Sequence, residues 1–234
     1  MTEVEWWDFD DADEMAEAVA GDIAFIIESA LDARGNATVA FPGGNTPKPV
    51  FAKLAEKQLR WKHVTIVPTD DRLVAVDSPL SNVAVLAKAF LPLGARVVPI
   101  ASADAADHRL AGNAANARLG DLAFPLDLVW LGMGSDGHVA SIFAGPDLEE
   151  ALAGPKDRRA TGVLPDPMPA DAAVARVTLT AAAIAQARTV LFTIAGGDKR
   201  TLLERAIEDG EASTLPVGRL FAQLSVPVDI YAAA

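Results

Sequence analysis

The chain has 234 residues, 51% of them hydrophobic, at a mean hydropathy of +0.23, enough for one substantial core in a single α/β domain. A net charge of −12 and a pI near 4.6 argue against nucleic-acid binding and repel anionic metabolites at long range, so any anion site must be local. Cysteine is absent, no apolar run approaches the ~20 residues of a membrane span, and the acidic start is unlike a signal peptide; these features point to the cytoplasm and no membrane partner.

After an acidic lead, Met15, Val19, Ile23, Ile26 and Ile27 recur near helical spacing and predict a helix from Ala12 to Leu31. Ala37–Phe41 reads as a strand, followed by a Gly-rich turn, a helix from Pro47 to Gln58 and a strand over Val64–Val67. A helix from Asn82 to Phe90 leads to a strand from Arg96 to Ile100 and a helix from about Ala105 to Leu119. Leu126–Leu131 is short, apolar and β-rich, as in a strand covered on both faces. Residues 143–173 are rich in Pro, Gly and charge and read as an excursion of loops and short elements. The alternation resumes with a strand at Arg176–Leu179, a helix at Ala181–Ala187 and a strand at Thr189–Ile194. Helices at Lys199–Glu208 and Val217–Leu224 and a strand at Val226–Tyr231 complete the pattern. Such alternation predicts one domain over residues 1–234: an α/β fold with a mostly parallel, Rossmann-like sheet and helices on both faces.

Four segments carry candidate chemistry. In Phe41-Pro42-Gly43-Gly44-Asn45-Thr46-Pro47, two glycines precede a helix whose N-cap is expected at Thr46 and first residue at Pro47, a setting suited to anions. The bland reading is an ordinary capped turn. Thr69-Asp70-Asp71-Arg72, with Ser81-Asn82 beyond it, places carboxylates beside an arginine that could face an anion; alternatively it is a solvated acidic turn. In Gly196-Gly197-Asp198-Lys199, Asp198 suits an N-cap and Lys199 falls in the first turn, where the helix dipole disfavours a cation unless an anion faces it. Gly132-Met133-Gly134-Ser135-Asp136-Gly137-His138 delivers an imidazole just beyond a buried strand, where open parallel sheets collect ligands. His138 is therefore a candidate general base. Asp136 either fixes its tautomer or holds a loop amide. His63 and His108 read as packing or surface residues. Neither H-x-x-x-H nor H-x-H is present for zinc, so no metal is expected, and the G-x-S-x-G elbow of serine hydrolases is missing.

In this order the four segments resemble the 6-phosphogluconolactonases of the pentose phosphate pathway, whose patterns run approximately S-G-G-S-T-P, D-E-R-x-V-P with S-N, G-M-G-x-D-G-H-x-A-S-L-F, then R-V/I-T-L-T and G-x-x-K. Here they stand as Pro42–Pro47, Asp70–Ala75 with Ser81-Asn82, Gly132–Phe143, and Arg176–Thr180 with Gly196–Lys199. The resemblance implies a fold shared with aminosugar-6-phosphate deaminases and ribose-5-phosphate isomerase. It implies His138 as the base that activates water against a lactone carbonyl, supported by Asp136. Gly43, Gly44, Asn45, Thr46, Arg72 and Lys199 would hold the phosphate or the neighbouring hydroxyls. The implied partner is a small phosphorylated sugar lactone; no metal or organic cofactor is required, and the chain is expected as a monomer or small homo-oligomer. Asp71 stands where the family has glutamate and Ala75 where it has proline. The Lys-Pro-Pro frequent before R-V-T-L-T is replaced around Met168-Pro169, so Arg158 or Arg159 is expected to supply the missing cation.

Two rivals differ in class. Glucosamine-6-phosphate deaminases resemble the G-x-x-x-D-G-H stretch but continue A-F-N-E, against Ala140-Ser141-Ile142-Phe143 here, and carry D-E-Y against Asp70-Asp71-Arg72. A non-catalytic sugar-phosphate-binding regulator would not need the His138 base.

Overall fold

A computed structural model describes residues 2–44, 46–101, 105, 107–170 and 172–234. Seven parallel strands form the central sheet in the order β1-β10-β9-β6-β2-β3-β5. These are β1 (Val4–Phe9), β2 (Ala37–Phe41), β3 (Val64–Pro68), β5 (Arg96–Val97), β6 (Leu128–Gly132), β9 (Val190–Ala195) and β10 (Val228–Ala233). Side chains of successive strand residues leave a sheet on opposite faces, and the core divides accordingly. Val39, Phe41, Leu128, Trp130 and Leu191 join one buried cluster; Ala40, Val129, Leu131, Val190 and Phe192 join the other.

The first cluster is roofed by α1 (Ala12–Arg34), α2 (Lys48–Ala55) and α3 (Asn82–Phe90). Its centre is aromatic: Phe51 lies 5.4 Å from Phe90 and 5.5 Å from Trp130, edge to face in both cases. The buried indole Nε1–H of Trp130 donates to the Thr193 hydroxyl at 3.0 Å, which meets its one polar demand. The second face is covered by α4 (His108–Gly120), α6 (Ala181–Ala185), α7 (Gly197–Asp209) and α8 (Pro216–Phe221), with α5 (Leu148–Ala153) beside them. The expected α/β class, with a parallel sheet between helical layers, is the class observed. Among the described residues no helix is long and apolar enough to cross a membrane.

Three features depart from the sequence reading. Val4–Phe9 is an edge strand paired in parallel with β10, from Val4 opposite Val228 to Phe9 opposite Ala233. Its acidic side chains face outward and mask the alternation of the half-buried Val4 and Trp6. Arg176–Leu179 (β8) does not extend the parallel sheet; it forms a separate antiparallel sheet with β4 (Asp70–Arg72) and β7 (Ala160–Val163). The 143–173 excursion thus contains α5 and β7. Finally, β5 ends at Val97, followed by one further bond from the Val98 N–H to the Ile66 carbonyl at 2.9 Å.

The small sheet is pressed tightly onto α4. A Cβ on Gly112 would come within 2.1 Å of the Gly162 nitrogen, and one on Gly162 within 1.7 Å of the His108 carbonyl. Only glycine at both positions allows this backbone approach. The contact anchors β7, and through β8 it anchors β4, which carries Arg72.

Candidate active site

The carboxyl ends of β9, β6, β2 and β3, neighbours in the sheet, open into a cavity of about 310 Å³. Its lining comes from the residues after β2 (Gly43, Gly44, Thr46), from Asp70, Arg72 and Asn82, from the loop after β6, and from β9 with Lys199. Of the eight site residues expected from sequence, Gly43, Gly44, Thr46, Arg72, His138 and Lys199 line this one cavity. Asp136 contacts His138 at its margin. Asn45 lies outside the described residues.

His138 is held by its own loop. After β6 the chain turns back on itself, the Gly134 N–H donating to the His138 carbonyl at 3.0 Å and the Gly137 N–H to the Gly134 carbonyl at 3.1 Å. Gly137 has φ +79, a left-handed conformation that suits glycine. Gly134 is required for space: a Cβ there would lie 2.2 Å from His138 Cε1 and 2.6 Å from Asp136 Oδ1. Asp136 Oδ1 accepts from the His138 ring at Nδ1, 2.5 Å away, and from the His138 backbone N–H at 3.2 Å. Both sequence alternatives for Asp136 are therefore met by one oxygen. With the proton on Nδ1, the Nε2 lone pair is the basic position, as a general base needs. The imidazole also packs over Phe143, ring centroids 4.2 Å apart. Partial burial pushes the Asp136 carboxyl up, but the His138 charge and hydrogen bonds outweigh this and leave it below the usual range.

The opposite wall is assembled from distant segments. Asp71 is buried and caps α3: its carboxylate accepts the backbone N–H groups of Arg72 at 2.8 Å, Asn82 at 2.6 Å and Val83 at 3.0 Å, and the Ser81 hydroxyl at 3.2 Å. Burial nonetheless pushes the Asp71 carboxyl above its ordinary range, against the pull of those N–H groups. Asp70 accepts from the Ser141 hydroxyl at 2.6 Å and the Thr69 hydroxyl at 3.1 Å. The Arg72 guanidinium donates through Nη1 to Asn82 Oδ1. Across the cavity, Lys199 Nζ donates to the Met133 carbonyl at 2.8 Å, which ties α7 to the His138 loop.

Several expectations need correction. Arg158 and Arg159 are not at the cavity. Arg158 bonds the Ala160 carbonyl and Asn113 and pairs with Glu150, while Arg159 lies over the Phe124 ring at 4.0 Å and donates to the Leu119 carbonyl. Both serve β7 and α4; the described cations lining the cavity are Arg72 and Lys199. Asp198 is not the cap of α7. Gly196, at φ +95, takes that position without a side-chain bond, and Asp198 and Lys199 both fall in the first turn. Thr46 does not cap α2 either, because Pro47 already has helical torsions and α2 begins at Lys48 with no side-chain cap. Asp70 and Asn82 stood in a candidate segment without a site role of their own, and Thr193 and Ala140 were not singled out; all four line the cavity. Among the described non-glycine residues only Ala140 has a positive φ, 50°, one residue past Val139 in a bridge to Met133. The signal for Asn82 was its place after Ser81 in the second motif.

Residues 10–226 match the family described as glucosamine-6-phosphate isomerases/6-phosphogluconolactonase. The chain belongs to this family. The 6-phosphogluconolactonase of Rhizobium meliloti strain 1021 is 36% identical over 95% of this chain and 96% of its own length. A crystal structure of a 6-phosphogluconolactonase from Shewanella baltica superposes with a TM-score of 0.91 at 28% identity, covering 99% of this chain and 98% of that one. A monomeric glucosamine-6-phosphate deaminase superposes with a TM-score of 0.79 over 97% of both chains, but at 16% identity, so that likeness concerns the fold alone. The two branches of the family thus share this architecture, and side chains around the cavity must separate their chemistries.

Proposed function

We propose that this member of the family is a lactone hydrolase that converts 6-phospho-D-glucono-1,5-lactone to 6-phospho-D-gluconate, as a 6-phosphogluconolactonase of the oxidative pentose phosphate pathway. The observation that carries the reading is the His138–Asp136 pair at one wall of a cavity whose other walls bear Arg72 and Lys199. The likeness to the Rhizobium and Shewanella proteins supports it.

Arg72 and Lys199, with the Gly43–Gly44 turn, hold the phosphate and adjacent hydroxyls and bring the lactone ring toward His138. Nε2 of His138 takes a proton from water as the water oxygen attacks the C1 carbonyl. The resulting tetrahedral oxyanion is stabilised by the fixed positive charge and N–H dipoles of the cavity. As the C1–ring-oxygen bond breaks, the imidazolium returns its proton to the departing ring oxygen, which becomes a hydroxyl. Asp136 keeps the ring in the required tautomer and steadies the imidazolium. A lactone is an activated ester, so a base and electrostatics suffice; the site is read as free of metal and organic cofactor. We take residues 1–234 to be one catalytic domain, cytoplasmic, and a monomer or small homo-oligomer.

The test is hydrolysis of 6-phosphoglucono-1,5-lactone by purified protein, followed against the spontaneous rate. Turnover well above that background is expected. Ammonia release from glucosamine 6-phosphate without lactone turnover would move the chain to the deaminase branch. Binding of sugar phosphate with no turnover of either would make it a regulator.

A further inference from the structure

Arg72 has an unusual set of partners for a partly buried arginine. Two aspartates precede it, yet neither neutralises it: Asp71 is committed to the N-terminus of α3, and Asp70 to Ser141 and Thr69. Among the described residues no carboxylate lies within ion-pair distance of its guanidinium, and its buried Nε has no hydrogen-bond partner. The group that holds it is a neutral amide oxygen, Asn82 Oδ1.

Asn82 is only 2% exposed and is itself fixed from three directions. Its backbone N–H donates to Asp71, its Nδ2 donates to the Asp70 carbonyl at 2.7 Å, and the Gly43 backbone is packed against its amide. A Cβ on Gly43 would fall 1.9 Å from Asn82 Oδ1 and 2.0 Å from its Cγ, so the first glycine of the turn and Asn82 occupy adjoining space. One side chain therefore joins the Gly-rich turn, the β4 backbone and the arginine.

We infer that Asn82 is a positioning residue that holds Arg72 by a neutral oxygen, aiming the guanidinium while leaving its full positive charge for the anionic end of the substrate. This rests on the sugar-phosphate reading of the cavity. A carboxylate in the same place would grip the arginine more firmly, and it would cancel the charge the anion needs. Holding and neutralising are separable, and the chain has the residue that does only the first.

The experiment compares wild type, Asn82→Asp and Asn82→Ala. Binding of 6-phosphogluconate is read by titration calorimetry, and hydrolysis is read on the phosphorylated lactone and on unphosphorylated glucono-1,5-lactone. For Asn82→Asp, Kd and the KM for the phosphorylated lactone should rise about 10–100-fold, the loss of a hydrogen bond to a charged group. kcat should change by less than about threefold, an effect under 1 kcal/mol, and kcat/KM for the unphosphorylated lactone should stay level. Asn82→Ala, which frees Arg72 without cancelling it, should weaken binding by a smaller factor in the same direction. An Asn82→Asp protein that binds 6-phosphogluconate as tightly as wild type overturns the inference. So does a variant that loses activity equally on both lactones, the mark of a general structural role. If Asn82→Asp does not fold, Asn82→Ala decides: unchanged discrimination between the two lactones overturns it. Calorimetry does not depend on turnover, so a wild type that binds but does not hydrolyse refutes the proposed activity while still testing Asn82.

Discussion

The two walls of the cavity are built from opposite kinds of contact. At the His138 wall the glycine that makes room, the carboxylate that orients the ring and the imidazole itself lie between residues 134 and 138, joined by bonds within one turn. At the Arg72 wall the same tasks are spread over residues 43, 71, 72 and 82, which meet only when β2, β4 and α3 are packed. A local arrangement resists distant perturbation but fails when a single small residue changes. A dispersed one tolerates single losses better, since each partner carries a fraction of the positioning.

Substitutions test that contrast. His138→Ala should have the largest effect, lowering kcat/KM for the phosphorylated lactone by about 10²–10⁴-fold, the usual worth of a general base; activity equal to wild type would remove His138 from the mechanism. Gly134→Ala should cost about 10²-fold in kcat, as expected when a reacting group is displaced by roughly an ångström, with the far-ultraviolet circular dichroism spectrum unchanged. Retention of full kcat would mean that the loop relaxes around the methyl group.

Asp136→Asn should lower kcat by about 10–100-fold, the range for carboxylates that orient metal-bound histidines. Because the folded carboxyl lies below its ordinary value, its contribution is present above the ordinary carboxylate range and disappears only as pH falls through the lowered value. The acid limb of wild-type kcat should thus be a single ionisation between pH 5 and 8; a second ionisation in that range would contradict the ionised assignment. The smallest effect is expected from Gly43→Ala, which pushes on Asn82: KM should rise about 3–10-fold, the value of one hydrogen bond, with kcat nearly preserved. A larger kcat loss than Gly134→Ala would invert the comparison.

Legibility followed the same division. The His138 wall was readable because its information is contiguous: a buried strand, glycines, a carboxylate and an imidazole in one run of sequence. The parallel sheet was readable from strand–helix alternation, and β1 was hidden because an edge strand buries only one side. Asn82 was visible only as a motif letter, since its role depends on a contact with Gly43, 39 positions away in the chain. Arg158 and Arg159 drew attention by charge and proximity to β8, but nothing in the sequence shows that their side chains turn toward α4 and β7. Helix starts at 46–48 and 196–199 were misplaced by one or two residues, because Pro47 and Gly196 occupy the N-cap positions with no side-chain cap, where a capping side chain was expected.

The pairing of β1 with β10 has a consequence for how the chain comes to be folded. Among the described residues β1, with two tryptophans in it, has its one strand neighbour in β10, from Val4 opposite Val228 to Phe9 opposite Ala233. During synthesis Trp6 and Trp7 must wait, unmatched, until the chain has been extended through Tyr231. Closure of that border is thus a late, long-range event, and the acidic residues around the tryptophans keep the waiting segment from sticking to itself or to a neighbour in the meantime.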